Sequence, residues 1–234
     1  MGSIASNLQE VQRRITTACA VAGRDAHSVA LLAVSKTCAA QAVREAHAAG
    51  QRAFGENYVQ EALAKMAALS DLRAQLEWHL IGPLQSNKTR AVAEAFDWVH
   101  SVERLKIAQR LAEQRPAWLA PLNICLQVNI SGEASKSGLA PAEVAAVAHA
   151  VALLPRLHLR GLMAIPAPTD GPTDGPAAQR LAHRALRELL AALNASGLAL
   201  DTLSMGMSAD LEAAVAEGAT LVRVGTAIFG ARGG

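Results

Sequence analysis

The chain has 234 residues, and its 22 lysines and arginines against 20 acids leave a formal charge of +2, too near neutral to hold a nucleic acid by its backbone. With three Trp, one Tyr and three Phe, no basic stretch carries the interleaved aromatics of a single-strand binder. No run of 18 uncharged apolar residues predicts a membrane span, and Glu10, Arg13 and Arg14 break the first segment too early for a secretory signal. Cys19, Cys38 and Cys125 show no CxxC spacing, so they read as free thiols of a reducing compartment, with neither a disulfide framework nor a metal site. A cytoplasmic location is expected. Met1-Gly2 with Ser6 formally matches a myristoylation signal, but the same residues read as the start of an ordinary helix.

That helix, Ile4 to Ala22, is the first predicted element. A strand over Val29–Lys36 follows, then a helix over Ala39–Ala49 that stops on Gly50. Next come a strand over Arg52–Gly55, a helix over Tyr58–Leu69, a strand over Glu77–Gly82 and a helix over Lys88–Ala95. The middle of the chain predicts a strand over Trp98–Val102, a helix over Arg104–Gln114 and a strand over Asn123–Ile130. Two helices then open on proline, which suits a first turn: Pro141–Leu154 and Pro176–Ser196, with a strand over His158–Ile165 between them. A strand over Thr202–Gly206, a helix over Ala209–Glu217 and a strand over Leu221–Thr226 complete the series. Gly197 and Gly218 sit where the last two helices would stop.

Eight strands alternating with helices imply right-handed βαβ units, and eight is the number that closes a (β/α)8 TIM-type barrel. An open doubly wound sheet would carry a glycine-rich turn after its first strand, whereas here that turn reads Lys36-Thr37-Cys38-Ala39. The reading is therefore α/β, one barrel domain over residues 1–234. No eighth helix follows the last strand, so the extra N-terminal helix is expected to cover the gap. The segment Pro166 to Pro176 repeats Pro-Thr-Asp-Gly and reads as a loop expansion or a lid on the active face.

In such barrels the working residues sit at the C-terminal ends of the strands, with phosphate commonly bound after strands seven and eight. Lys36 closes the first strand. Burial there would favour a neutral, nucleophilic amine suited to a Schiff base, although a strand-end lysine also snorkels to solvent. After strand seven, Ser208 reads as the N-cap of the next helix and so as part of an anion cradle, with Asp210 competing for the same helix dipole. After strand eight, Gly225 allows close backbone approach and Thr226 adds a hydroxyl. Arg223 shares a strand face with Gly225; if that face is inward, a permanent cation stands in the barrel mouth near Lys36. A ligand with an aldehyde, an acceptor nitrogen and a phosphate satisfies all three features, and pyridoxal phosphate has that set. Asn57 reads as a ligand contact or a cap for the next helix, and His79 as a satisfied core histidine. No P-loop, HExxH, GxSxG or paired-carboxylate signature appears.

Seven motifs in order carry a resemblance over Leu8 to Gly230: Ala33-Val34-Ser35-Lys36-Thr37, Phe54-Gly55-Glu56-Asn57-Tyr58, the run from Trp78 to Lys88, Ser135-Lys136-Ser137-Gly138, Gly161-Leu162-Met163, the run from Ser204 to Asp210, and Arg223-Val224-Gly225-Thr226 with Ile228-Phe229-Gly230. In these the chain resembles the pyridoxal phosphate homeostasis proteins, single-domain relatives of the alanine racemase barrel. The resemblance implies that Lys36 forms the Schiff base and that Ser208, Gly225 and Thr226 hold the phosphate. It also places Arg223 at the pyridine nitrogen and Asn57 beside the ring. Cys38 stands where many members have a second lysine, and Leu80 replaces a bulkier residue. Lys136 is a candidate for a secondary or transfer site.

What the resemblance implies for function is a carrier that buffers pyridoxal phosphate, without robust turnover and with no residue assigned a catalytic role. A monomer making transient contacts with pyridoxal phosphate-dependent enzymes is expected. The alternative is an amino-acid racemase or a Schiff-base aldolase on the same barrel. Racemases of this class are said to bring a catalytic tyrosine from a second domain, and here the sole tyrosine is Tyr58. Guanidinium does not release its proton, so Arg223 would keep the ring nitrogen unprotonated and the ring a weak electron sink.

Overall fold

The computed structural model describes residues 2–132, 137–165 and 176–230; of 176–179 only the backbone is considered. Eight parallel strands close on themselves in sequence order, β1 pairing with both β2 and β8. The strands are β1 (Ala30–Val34), β2 (Ala53–Glu56), β3 (Glu77–Leu80), β4 (Trp98–Val102), β5 (Leu122–Gln127), β6 (Leu157–Met163), β7 (Thr202–Ser204) and β8 (Leu221–Val224). The expected (β/α)8 barrel is what forms. Around it lie α1 (Ile4–Val21), α2 (Ala40–Ala48), α3 (Val59–Ala68), α4 (Thr89–Ala95), α5 (Leu105–Gln114), α6 (Pro141–Ala152), α7 (Pro176–Ala195), α8 (Leu211–Ala216) and α9 (Thr226–Phe229).

The element boundaries differ from the sequence-based expectation mostly at the C-terminal strand ends. β1 stops at Val34 and β5 at Gln127, leaving Lys36 and Ile130 in the following turns. Barrel strands splay at the mouth, where the chain leaves the ladder to form loops. Two 3-10 turns, Ser70–Gln75 and Ser86–Lys88, and the single-turn helix α9 were not anticipated.

α1 does cover the gap. Ser3 caps it by accepting the Ser6 amide, and Leu8, Val11, Ile15, Ala18 and Cys19 form a buried stripe at helical spacing. That stripe packs on α8, α9 and α2, so one long helix spans the seam where β8 meets β1. Asn7 Nδ2 donates to the Ile228 carbonyl at 2.8 Å, and Arg14 grips Glu212 through Nε at 2.9 Å and Nη2 at 3.0 Å.

The main apolar core lies between the strands and the helices, where Ile107, Leu111, Ile124 and Leu126 are fully or almost fully buried. Inside the barrel the filling is different. A small cluster of Trp98, Cys125 and Met163 shares the interior with buried polar groups, among them His79, His100, Ser204 and Arg223. The mouth is narrowed by close backbone approach: Gly82 lies against the backbone of Asn57 with no room for a Cβ.

Candidate functional site

At the C-terminal mouth of the barrel a cavity of about 280 Å³ is lined by Lys36, Asn57, Ser208, Arg223, Gly225 and Thr226, together with Val34, Ile81, Ile165, Met207 and Ala209. All six residues singled out from the sequence therefore face one space. Of the apolar members, Val34, Ile81, Met207 and Ala209 lie within the quoted motifs without an expected role of their own, and Ile165 lies in none of them.

Lys36 is half-buried in the turn after β1. That turn is strained and braced. Thr37 adopts φ 63°, a left-handed conformation unusual for a β-branched residue. Its amide donates to Glu61 Oε1 at 2.6 Å. Beneath it Lys65 Nζ bonds Glu61 at 3.0 Å, Glu56 Oε1 at 2.6 Å and the Ser35 carbonyl at 2.7 Å, while Ser35 Oγ donates to Glu56 at 2.6 Å. Glu56 and Lys65 are both buried. Desolvation raises the Glu56 carboxyl above its ordinary range, opposed by the charge and hydrogen bond of Lys65. The same turn that displays Lys36 is thus bolted to β2 and α3.

Arg223 lies inside the barrel, so the face it shares with Gly225 is the inward one. Its Nη1 donates to the Ser204 carbonyl at 2.6 Å and to Ser204 Oγ at 2.8 Å, and Nη2 donates to the Ala164 carbonyl at 2.9 Å. Three of its five N–H groups are used in this way, leaving two for the cavity that it lines. Burial pushes its pKa down to about 10, with the Asp210 charge opposing, so it stays a cation at neutral pH.

The turn after β7 corrects one expectation. Ser208 is not the cap of α8, which begins only at Leu211 and has Asp210 at its N-cap position without a side-chain cap bond. The Asp210 carboxylate instead closes the loop, accepting the Met207 amide at 2.7 Å, and also meets His183 Nε2 at 3.0 Å. Burial works to raise Asp210, but the His183 hydrogen bond and the Met207 amide hold it below its usual range. Ser208 keeps its place on the cavity wall, and its carbonyl accepts from Arg14 Nη2 at 3.0 Å. Asn57 likewise caps nothing; Tyr58 occupies the N-cap position of α3.

The residues fit pyridoxal phosphate on two observations. Asn57 Oδ1 is buried with no hydrogen-bond partner, which is costly unless a ligand donates to it. Gly225 lines the cavity beside Val34, where a Cβ would crowd the mouth at 3.1 Å from the Val34 carbonyl. Among the described residues no group of His, Cys, Asp and Glu is arranged to hold a metal ion. No helix there is long and apolar enough to cross a membrane. Lys136 and the segment 166–175 lie outside the described residues.

Comparison with known proteins agrees with the barrel fold. The family model described as alanine racemase, N-terminal domain matches residues 2–233. The chain is 66% identical, over 99% of its length and 97% of the relative's, to a protein of Pseudomonas aeruginosa named pyridoxal phosphate homeostasis protein. A protein of the same name from Escherichia coli is 54% identical over 99% of this chain and 98% of its own. Among solved structures, PipY of Synechococcus elongatus with PLP bound superimposes with a TM-score of 0.82 at 42% identity, covering 97% of this chain and 100% of PipY. With a family match that spans the whole barrel and relatives this close in sequence, the chain belongs to the pyridoxal phosphate homeostasis proteins, within the family of the alanine racemase N-terminal domain.

Proposed function

We propose that this single barrel domain, residues 1–234, binds pyridoxal phosphate at its mouth through Lys36 and serves intracellular vitamin B6 homeostasis in the cytoplasm as a carrier without robust turnover. The observation that carries the reading is that Lys36, Arg223 and the Ser208 and Gly225–Thr226 turns line one cavity. When bound, the cofactor supplies an aldehyde whose carbon a lysine amine attacks, with water as the leaving group. Every other part of the task belongs to the chain. Ser35, Glu56, Lys65 and Glu61 hold the turn that presents the Lys36 amine. Ser208, Thr226 and the Gly225 backbone offer donors to an anion, and Arg223 presents guanidinium N–H groups to an acceptor.

Two features support a carrier over an enzyme. Glu56 and His79, which could serve as acid or base at neighbouring strand ends, do not line the cavity: Glu56 is engaged by Ser35 and Lys65, and His79 by Glu77 and His100. The sole tyrosine, Tyr58, stands largely exposed rather than in the cavity. Transient contact with pyridoxal phosphate-dependent enzymes follows from a carrier's role.

The test is the visible absorption spectrum of wild type and Lys36→Ala before and after addition of pyridoxal phosphate. A band in wild type, fixed by borohydride and lost in a Lys36→Ala protein that folds normally, is the expected result. A borohydride-fixed cofactor that persists in Lys36→Ala would sink the assignment of the anchor.

A further inference from the structure

The interior of the barrel holds an unbroken line of polar side chains that the cavity residues do not explain. From Arg223 at the mouth it runs to Ser204 Oγ on β7 (2.8 Å), from Ser204 Oγ to His100 Nδ1 on β4 (2.8 Å), and from His100 Nε2 to His79 Nδ1 on β3 (2.9 Å). It ends where His79 Nε2 meets Glu77 Oε1 at 2.6 Å, at the opposite end of the barrel. Ser204, His100 and His79 are buried, whereas the Glu77 side chain is 49% exposed and borders a second, larger cavity with Arg52, Arg73 and Asp97. The His79 ring is fixed by stacking on Trp98, at 5.2 Å between centroids and 9° between planes.

The donors and acceptors can be assigned from the ends inward. Arg223 only donates, so Ser204 Oγ accepts there and sends its own hydrogen to His100 Nδ1. His100, kept neutral by burial and by the nearby His79 and Arg223, then carries its hydrogen on Nε2 and donates to His79. His79 in turn carries its hydrogen on Nε2 and donates to Glu77. That carboxyl is held below its usual range, first by the His79 hydrogen bond. Every hydrogen points the same way, from the mouth to the base, and chains of this kind strengthen each member.

We infer that Glu77, His79, His100 and Ser204 are positioning residues for Arg223, holding its guanidinium in the orientation that leaves two N–H groups facing the mouth. The inference rests on the pyridoxal phosphate reading for what those N–H groups meet, but the chain itself can be seen without any ligand. Glu77 is the useful handle because it reaches solvent, so replacing it opens no core cavity.

The experiment takes the full chain labelled with ¹⁵N-histidine and ¹⁵N-arginine and reads ring tautomers and the Arg223 Nε–H signal in the ligand-free protein. Wild type, Glu77→Gln, Glu77→Leu and Ser204→Ala are compared. The expected wild-type result is Nε2–H for both His79 and His100. Glu77→Gln keeps an acceptor and preserves this state, while Glu77→Leu loses the tautomer preference and shifts the Arg223 Nε–H signal. Ser204→Ala shifts the Arg223 signal with His79 unchanged. Titration with pyridoxal phosphate should then show about tenfold weaker binding for Glu77→Leu and Ser204→Ala, and near wild-type binding for Glu77→Gln. His100 protonated on Nδ1, or a Glu77→Leu protein that matches wild type in tautomer and in the Arg223 signal, overturns the inference. A wild type that shows the expected tautomers and Arg223 shifts but never develops the visible band upholds the chain of bonds and overturns only the cofactor reading.

Discussion

Lys65 has no place in the cavity, yet the turn that carries Lys36 depends on it. A buried carboxylate is tolerated at Glu56 because Lys65 and Ser35 supply hydrogens to it. Removing one partner of such a pair leaves a charge stranded in the interior. Lys65→Met is therefore expected to cost about 3–5 kcal/mol in urea unfolding. The double variant Glu56→Gln, Lys65→Met should recover most of that loss, since no uncompensated charge remains. Equal stability of the single and double variants would contradict the account. Cys125 shows the contrasting outcome of burial: its thiol, pushed up to about 12 by desolvation, fills space and is inert.

Among the helices, α7 shows how one element is locked to the next. Arg180, Arg184 and Arg187 recur along one face and converge on Glu217 just after α8, at 2.8, 3.1 and 2.9 Å. The Arg184 hydrogen bond, ahead of the other arginines, holds the Glu217 carboxyl below its ordinary value of 4.5. A carboxylate depressed on folding lends stability that is complete above the unfolded value and fades as pH falls through the folded one. Glu217→Gln is expected to lose about 2 kcal/mol at neutral pH, with the gap to wild type closing below about pH 4. A constant gap down to pH 3 would show that the ion pairs are not its source.

The eight strands were legible because apolar runs alternate with capped, alanine-rich helical stretches, and the cavity residues because barrel chemistry gathers at strand ends. His100 was not singled out, and Ser204 entered only as the first residue of a motif, for a physical reason. Strands buried on both faces show no apolar–polar alternation, so nothing in the chain separates inward residues from outward ones. Ser208 was misread as a cap because the local pattern did not reveal that Asp210 would turn its carboxylate back onto Met207.

For the molecule as a whole, the most exposed large apolar side chains among the described residues are Val21 at the end of α1, Trp118 in the loop between α5 and β5, and Leu153 just after α6. Sedimentation at micromolar concentration, with and without pyridoxal phosphate, should give the mass of one 24.4 kDa chain. A concentration-independent dimer would place a subunit interface where none is expected.

The seam helix α1 has a consequence for how the molecule is made. Its contacts are among the most distant in the chain, 221 residues apart for Asn7 with Ile228 and 198 for Arg14 with Glu212. The seam helix therefore waits for residues made about two hundred positions later. At about 5–20 residues per second that interval is roughly 10–40 s. Throughout it the stripe of Leu8, Val11 and Ile15 has α2 but neither α8 nor α9 to pack on, so barrel closure is a late event and nascent chains carry a partly uncovered apolar helix that a chaperone can hold.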